Sequence, residues 1–445
     1  MKILLINPPR SPFNGILDYA PEEARPFIHK KLVGPPLGLL TIEAAVRDFD
    51  VSLFDMKGEY DLIPESPSLP RLTKELVEKH DPDIVGVTAI TSEFDYALQI
   101  CQTAKQAKPD ILTVAGGLHT TLCPYDFAGK PVDVICPGHA GNTFRELVLA
   151  KYQNMTLEKV RGIYINTPSG LHPTHPSSKN WNAARDNYLM PDRTLLERWR
   201  NTYWAPSAPS PVTYTFTSLG CPYRCTFCSI WSEFGGKYYQ RDIESLIEEL
   251  KQIDYQIVRF ADANTIINAQ YVSRLFDRIQ EEGIQKEYVM DIRADTAVQY
   301  PWLIEKLAKN GLKVVICGFE SYKDSELDTY NKHTSASYIE QAIHIFHENN
   351  ISVRGNYVVP PHYEEDDFKA LADYAASHKV NFAGYTILTP LPGTPFYKSV
   401  KNKIIDHDYK KYNFFNGVLE TKLPLEDFYR NIGALWLIKK GMDTI

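Results

Sequence analysis

A chain of 445 residues is too long for one ordinary hydrophobic core; at roughly 150 residues per domain it should form two or three. Hydrophobic content of 44% against 23% charged residues is that of a globular chain and excludes extensive disorder. A formal charge of −7 without a basic stripe excludes a surface that coats nucleic acid, since phosphate neutralisation needs clustered Lys and Arg.

The apolar part of the opening Met1 to Pro9 is too short for a secretory signal, and no later run reaches the roughly 18 apolar residues of a membrane helix. A cytoplasmic protein without an integral membrane segment is expected. From Lys2 to about Ala150, short β-branched runs alternate with helical patterns: Ile3 to Ile6, Val51 to Phe54, Ile84 to Thr88, Leu112 to Ala115 and Val132 to Ile135. This is an α/β pattern, and it predicts a doubly wound, Rossmann-like domain over 1–150 whose ligands bind beyond the carboxyl ends of the strands. Periodicity fades over 151–210, which reads as a connector. A second series of strands begins at Thr213 to Thr217 and continues through Ile257 to Ala261, Tyr288 to Ile292, Val314 to Cys317, Val353 to Val359 and Tyr385 to Leu388. Six βα units are fewer than the eight that close a full barrel, so 211–395 should form a partial (βα)6 barrel, followed by a mostly helical extension over 396–445.

Of the seven cysteines, Cys221, Cys225 and Cys228 crowd into one window directly after the first strand of the barrel. A disulfide framework would spread them, so metal or redox chemistry is expected. Three thiolates on a tight loop can ligate three irons of a cubane cluster and leave the fourth iron open. A structural zinc site would want a fourth Cys or His close by, and the next ones are Cys317 and His333.

Cys221-Pro-Tyr-Arg-Cys225-Thr-Phe-Cys228, with Phe227 just before the last cysteine, resembles the signature of radical S-adenosylmethionine (SAM) enzymes. The resemblance implies a [4Fe-4S] cluster whose open iron binds the amino and carboxylate groups of SAM, and a 5′-deoxyadenosyl radical that abstracts hydrogen. It also implies cosubstrate contacts. Glu320 and Ser321, in Gly318-Phe319-Glu320-Ser321, are placed at the ribose or amino group. Arg293, in Arg-x-Asp with Asp295, is placed at the carboxylate or in a structural ion pair. Asp262, in Asp-x-Asn with Asn264, either joins them or shapes a turn, and Gly236 lies near the cosubstrate or in a surface turn. Thr389, which opens Thr-Pro-Leu-Pro-Gly-Thr, matches the cobalamin-associated subgroup.

The amino-terminal half resembles the cobalamin-binding domain that precedes the barrel in that subgroup. The residues that carry the likeness are Pro36 and Leu37, in Gly-Pro-Pro-Leu-Gly-Leu, and Gly116, Gly117 and His119, in Gly-Gly-Leu-His. Missing side chains at Gly116 and Gly117 let a macrocycle approach the backbone, and Thr88, Thr91 and Ser92 either bond corrin amides or form a plain βα turn. There is no Asp-x-His-x-x-Gly motif, so His119 is not expected to be a lower-face cobalt ligand.

Together these features resemble the cobalamin-dependent radical SAM methyltransferases, with the hopanoid methylases nearest in motif. The resemblance implies transfer of a methyl group to an unactivated carbon of a protein, peptide or lipid, with a flavodoxin- or ferredoxin-type protein as reductant. A radical carbon-carbon coupling or cyclising enzyme is the alternative.

Overall fold

The computed structural model describes residues 1–28, 34–176, 188–204, 211–380 and 382–441. They form two compact units, one of Met1–Ser11 with Pro35–Thr202 and one of Pro12–Gly34 with Tyr203–Ile445.

The first unit is built on strands β1 (Lys2–Asn7), β2 (Asp50–Asp55), β3 (Ile84–Thr88), β4 (Leu112–Gly116) and β5 (Val134–Cys136), extended by β6 (Tyr164–Thr167) and β7 (Gly170–Pro173). Their order is β2-β1-β3-β4-β5-β6-β7. The first five strands pair in parallel. Helices cover both faces of such a sheet, which is why Ile3, Leu4, Leu5 and Ile6 form an unbroken apolar run and are all buried. Strand order reverses at β1, and the carboxyl ends of β1 and β3 therefore flank the crevice where this fold holds ligands.

Residues expected as a connector add structure to this unit. Strands β6 and β7 form an antiparallel hairpin on the edge of the sheet, with Val134 paired to Ile165. Further on, the 3-10 helix Arg193–Thr202 buries Trp199, whose indole donates to Glu59 Oε2 at 2.7 Å, while Arg198 grips both oxygens of the same carboxylate. Its local polarity hid an element held by one buried carboxylate more than a hundred residues away.

The second unit has a six-stranded parallel sheet in the order β15-β14-β13-β12-β11-β8. Its strands are β8 (Val212–Thr215), β11 (Ile257–Phe260), β12 (Glu287–Asp291), β13 (Leu312–Glu320), β14 (Ser352–Val359) and β15 (Phe382–Ile387). The antiparallel pair β9 (Ser218–Gly220) and β10 (Tyr238–Gln240) stands apart from it. Alternation decides the two faces. Val258, Phe260, Met290, Val315, Cys317, Val353 and Tyr357 pack against helix residues such as Leu250, Leu275, Phe276, Ile304 and Phe346. The other, inner face carries a small cluster made by strand residues alone: Val212, Ile257, Val289, Val314 and Ile316, with Tyr214 against them.

Pro12–Gly34, read from sequence as part of the first domain, belongs to this second unit. The helix Gly15–Tyr19 packs against the helix Leu425–Leu435, with the Tyr19 and Tyr429 rings stacked at 5.7 Å and Ala20 seated on Gly433. Among the described residues the carboxyl-terminal extension holds two α-helices, Pro395–Val400 at its start and Leu425–Leu435; 401–424 is largely turns, with Ile404 bridged to Leu419.

Arg241 and Glu249 form an ion pair that is almost wholly buried, and Glu249 also accepts from Thr215 Oγ1 at 3.0 Å. Replacing Arg241 with Met strands the carboxylate, and we expect about 3–5 kcal/mol of destabilisation in urea titrations. Replacing both residues with apolar side chains should recover most of the loss.

Candidate active site

The cysteine loop begins where β8 gives way to β9. The Asp262 carboxylate, just beyond β11, receives the Thr217 N–H at 2.8 Å, the Ser218 N–H at 2.9 Å and the Thr217 hydroxyl at 2.7 Å. These bonds turn the chain: the strand expected to reach Thr217 ends at Thr215, and Ser218–Gly220 forms a separate short strand. Gly220 follows at φ +79, with the Lys237 carbonyl lying where a β-carbon would stand, so only glycine fits immediately before Cys221.

Neighbouring elements hold the loop along its length. Cys225 O accepts from the Trp231 indole at 2.9 Å and from the Cys228 N–H at 3.2 Å. The Thr226 N–H donates to Tyr330 O at 2.9 Å, and Thr226 O accepts from the Phe396 N–H at 2.9 Å. That last bond joins the Pro-Gly-Thr stretch, where Thr394 caps the helix Pro395–Val400, to the cysteines. All three thiols are free of disulfides. Burial raises the Cys221 thiol, with Arg293 and Lys332 opposing, and pushes Cys228 up to about 11. Metal must displace those protons to bind.

Two charged side chains, Arg293 and Glu320, stand near the loop at strand ends. Arg293, after β12, lies 3.8 Å from the centroid of the Tyr223 ring and donates to both oxygens of Asp295. The ion pair left open by the sequence is therefore present. Glu320 ends β13 at φ +62, and its Oε1 receives the Lys332 ammonium at 2.6 Å. Lys332 is buried, and its charge is felt at Cys221. No sequence signal marked it: it sits in an Asn-Lys-His turn, and only the tertiary fold brings it to the glutamate.

Other sequence candidates stand differently. Ser321 is buried and donates to Glu326, which also accepts from the Tyr363 hydroxyl at 3.0 Å. Thr389 is buried and donates to Ile387 O at 3.0 Å. Gly236 lies beside the Arg224 guanidinium. Asp262 acts on the backbone that launches the loop.

In the first unit, Thr88, Gly116 and Gly117 lie at the carboxyl ends of β3 and β4. Gly117 has φ +101, and a β-carbon there would come within 2.7 Å of Thr88 Oγ1 and 2.8 Å of Ala89 O. Gly116 and Thr88 keep part of their surface open, as do Pro36 and Leu37 at the start of the helix Leu37–Val46. Thr91 and Ser92 are buried, and Thr91 Oγ1 meets His119 Nδ1 at 3.2 Å. His119 is 1% exposed, wedged between the rings of Phe94 and Phe127 with Nε2 3.3 Å from Asp126. It is packed as a core residue.

The donor sets fit the expected groups. Among the described residues, ligand atoms gather within 4.8 Å at His119, Cys123 and Asp126, and the three loop cysteines form no such group. One zinc ion would draw thiolates to roughly 4 Å of each other, given Zn–S bonds of about 2.3 Å; a cubane, with each thiolate on its own iron, accepts a wider spread. At the carboxyl edge of the first sheet, glycines and small hydroxyls leave the backbone approachable.

Residues 215–375 match the Radical SAM superfamily, and residues 28–148 match the B12 binding domain. An uncharacterized methyltransferase of Pyrococcus horikoshii is 27% identical over 437 residues, covering 95% of this chain and 88% of that protein. The hopanoid C-3 methylase of Methylococcus capsulatus is 24% identical over 400 residues, covering 88% of this chain and 74% of that one. Among solved structures, the radical S-adenosylmethionine methyltransferase TsrM from Kitasatospora setae superposes with a TM-score of 0.70 at 16% identity, covering 97% of this chain and 82% of that one. The chain is thus a radical SAM protein that carries a B12 binding domain, and its cofactors are a [4Fe-4S] cluster, SAM and cobalamin. No helix among the described residues is long and apolar enough to cross a membrane.

Two substitutions test the loop. Cys225→Ala should abolish the cluster absorbance near 400 nm after anaerobic reconstitution, and a full-strength band would contradict the ligand assignment. Asp262→Ala should lower iron loading several-fold with the cysteines intact, while Asp262→Asn, which keeps an acceptor for the two N–H groups, should restore most of it.

Proposed function

We propose that the chain is a C-methyltransferase that carries a methyl group to an unactivated carbon of a protein, peptide or lipid. Bound in place, the iron-sulfur cluster supplies the electron that splits SAM, and cobalamin supplies the methyl group. Cys221, Cys225 and Cys228 hold three irons and leave one open. Glu320, fixed by Lys332, and Arg293, fixed by Asp295, set the charges that receive the cosubstrate beside that iron. Gly116, Gly117 and Thr88, with Pro36 and Leu37, give the corrin its approach to the first unit.

One observation carries this reading: a three-cysteine loop at the carboxyl ends of a parallel sheet occurs in the same chain as a glycine-lined sheet edge matched by the B12 binding domain. The methyltransferases among its relatives favour methyl transfer over carbon-carbon coupling or cyclisation. A small reductant protein of flavodoxin or ferredoxin type is the proposed electron source.

Anaerobic turnover with methyl-labelled SAM should place label in the product and release both 5′-deoxyadenosine and S-adenosylhomocysteine. An unlabelled product formed together with 5′-deoxyadenosine, with cobalamin bound, would replace methyl transfer with coupling or cyclisation.

A further inference from the structure

The inner face of the six-stranded sheet carries positive charge without a matching carboxylate. Alternation from the cluster of Ile257, Val289 and Ile316 puts Tyr214, Arg259, Asp291, Arg354 and Asn356 on this face. Arg259 is satisfied there: it donates to Asp291 at 2.8 Å and to the Tyr214 hydroxyl at 3.2 Å, and it lies over the Tyr214 ring. Arg354 is level with Ile316, the neighbour of Asp291 across β12 and β13. Its Nε donates to Asn356 Oδ1 at 3.1 Å, and among the described residues no carboxylate lies within ion-pair distance of it. Two guanidiniums thus share one carboxylate, and that carboxylate is engaged by Arg259.

Space has been kept for the unpaired group. On β15 beside it, Gly384 leaves open a position where a β-carbon would stand 2.9 Å from Arg354 Nη2 and 2.8 Å from Asn356 Oδ1. Burial above all, and then Arg259, push the Arg354 guanidinium down to about 10, only partly opposed by Asp291. A half-buried cation with no carboxylate partner among the described residues gains most from an anion, and the planar fork of Arg matches a carboxylate or phosphate through two parallel hydrogen bonds.

SAM's own carboxylate is the nearest rival, and depth separates the two. Arg354 is level with Ile316, four residues before Glu320, or about 13 Å at roughly 3.3 Å per residue. The cysteines act electrostatically on Arg293 and Lys332, whereas the charges that act on Arg354 are Arg259 and Asp291.

We propose that Arg354, oriented by Asn356, binds an anionic group of the substrate, a carboxylate or a phosphate, deep on the inner face below the cysteine loop. The proposal rests on the methyltransferase reading and names the substrate class of that site. A neutral hydrocarbon lipid lacks the group this site requires.

Isothermal titration of the reconstituted holoprotein with acetate and with inorganic phosphate tests it. At least one probe should bind with a stoichiometry of one. Arg354→Gln should weaken that binding tenfold or more, and Arg354→Lys should weaken it less, since charge survives and the fork does not. Gly384→Ala, which keeps the charge and fills the space beside it, should also weaken binding and serves if Arg354→Gln does not fold. Affinity for labelled SAM and substrate-free release of 5′-deoxyadenosine should stay at the wild-type level in every variant. Absence of anion binding in the wild type, or equal binding in Arg354→Gln and Gly384→Ala, would overturn the proposal. Loss of SAM affinity in Arg354→Gln would overturn it too, by assigning the guanidinium to the cosubstrate. In each of those cases the labelled-methyl experiment still decides the methyltransferase reading independently.

Discussion

One buried carboxylate shapes the route into the active site. Asp262 collects two backbone N–H groups and a hydroxyl from the corner between β8 and β9, and so stops a strand that would otherwise run on. Burial pushes this carboxyl up to about 6 even though all three donors favour its charged form. The site therefore spends stability on a fixed corner, as functional sites built at strand ends commonly do. Everything downstream follows from that corner: the glycine that must precede Cys221, the short pair of β9 with β10, and the direction in which the cysteines leave the sheet.

Charge at the mouth of the second unit is arranged in pairs. Arg293 is held by Asp295, Glu320 by Lys332, and Ser321 by Glu326, which Tyr363 holds in turn. Such pairing fixes each polar group before any ligand arrives, so little reorganisation is left for binding. Arg354 departs from the pattern: it is half-buried, and among the described residues no carboxylate pairs with it.

Much of this was legible in the sequence. The five parallel strands of the first sheet and the six of the second could be read from β-branched runs, because strands buried on both faces cannot hide their composition. The cysteine loop was legible from its spacing and its place after the first strand of the second series. What escaped depends on distance along the chain. Lys332 meets Glu320 through a turn with no distinguishing composition. Trp199 and Arg198 read as part of a polar connector because their partner, Glu59, lies in another stretch altogether. Asp262 was noticed as a motif, but its work on the backbone could not be read from residue type. The same holds for Arg354: in sequence it is one arginine in a strand, and only the register with Asp291 and Arg259 reveals that the charges do not balance.

The passage of Pro12–Gly34 into the second unit also has a consequence for synthesis. Tyr19 and Ala20 leave the ribosome some four hundred residues before the helix Leu425–Leu435 that carries their partners Tyr429 and Gly433. At roughly 5–20 residues per second that wait is about 20–80 seconds, during which Ile16, Ala24 and Ile28 have no native partner from the carboxyl-terminal end. A cell making this protein thus keeps an apolar segment waiting while the intervening residues are synthesised, and no single cut between the two units can release either one intact.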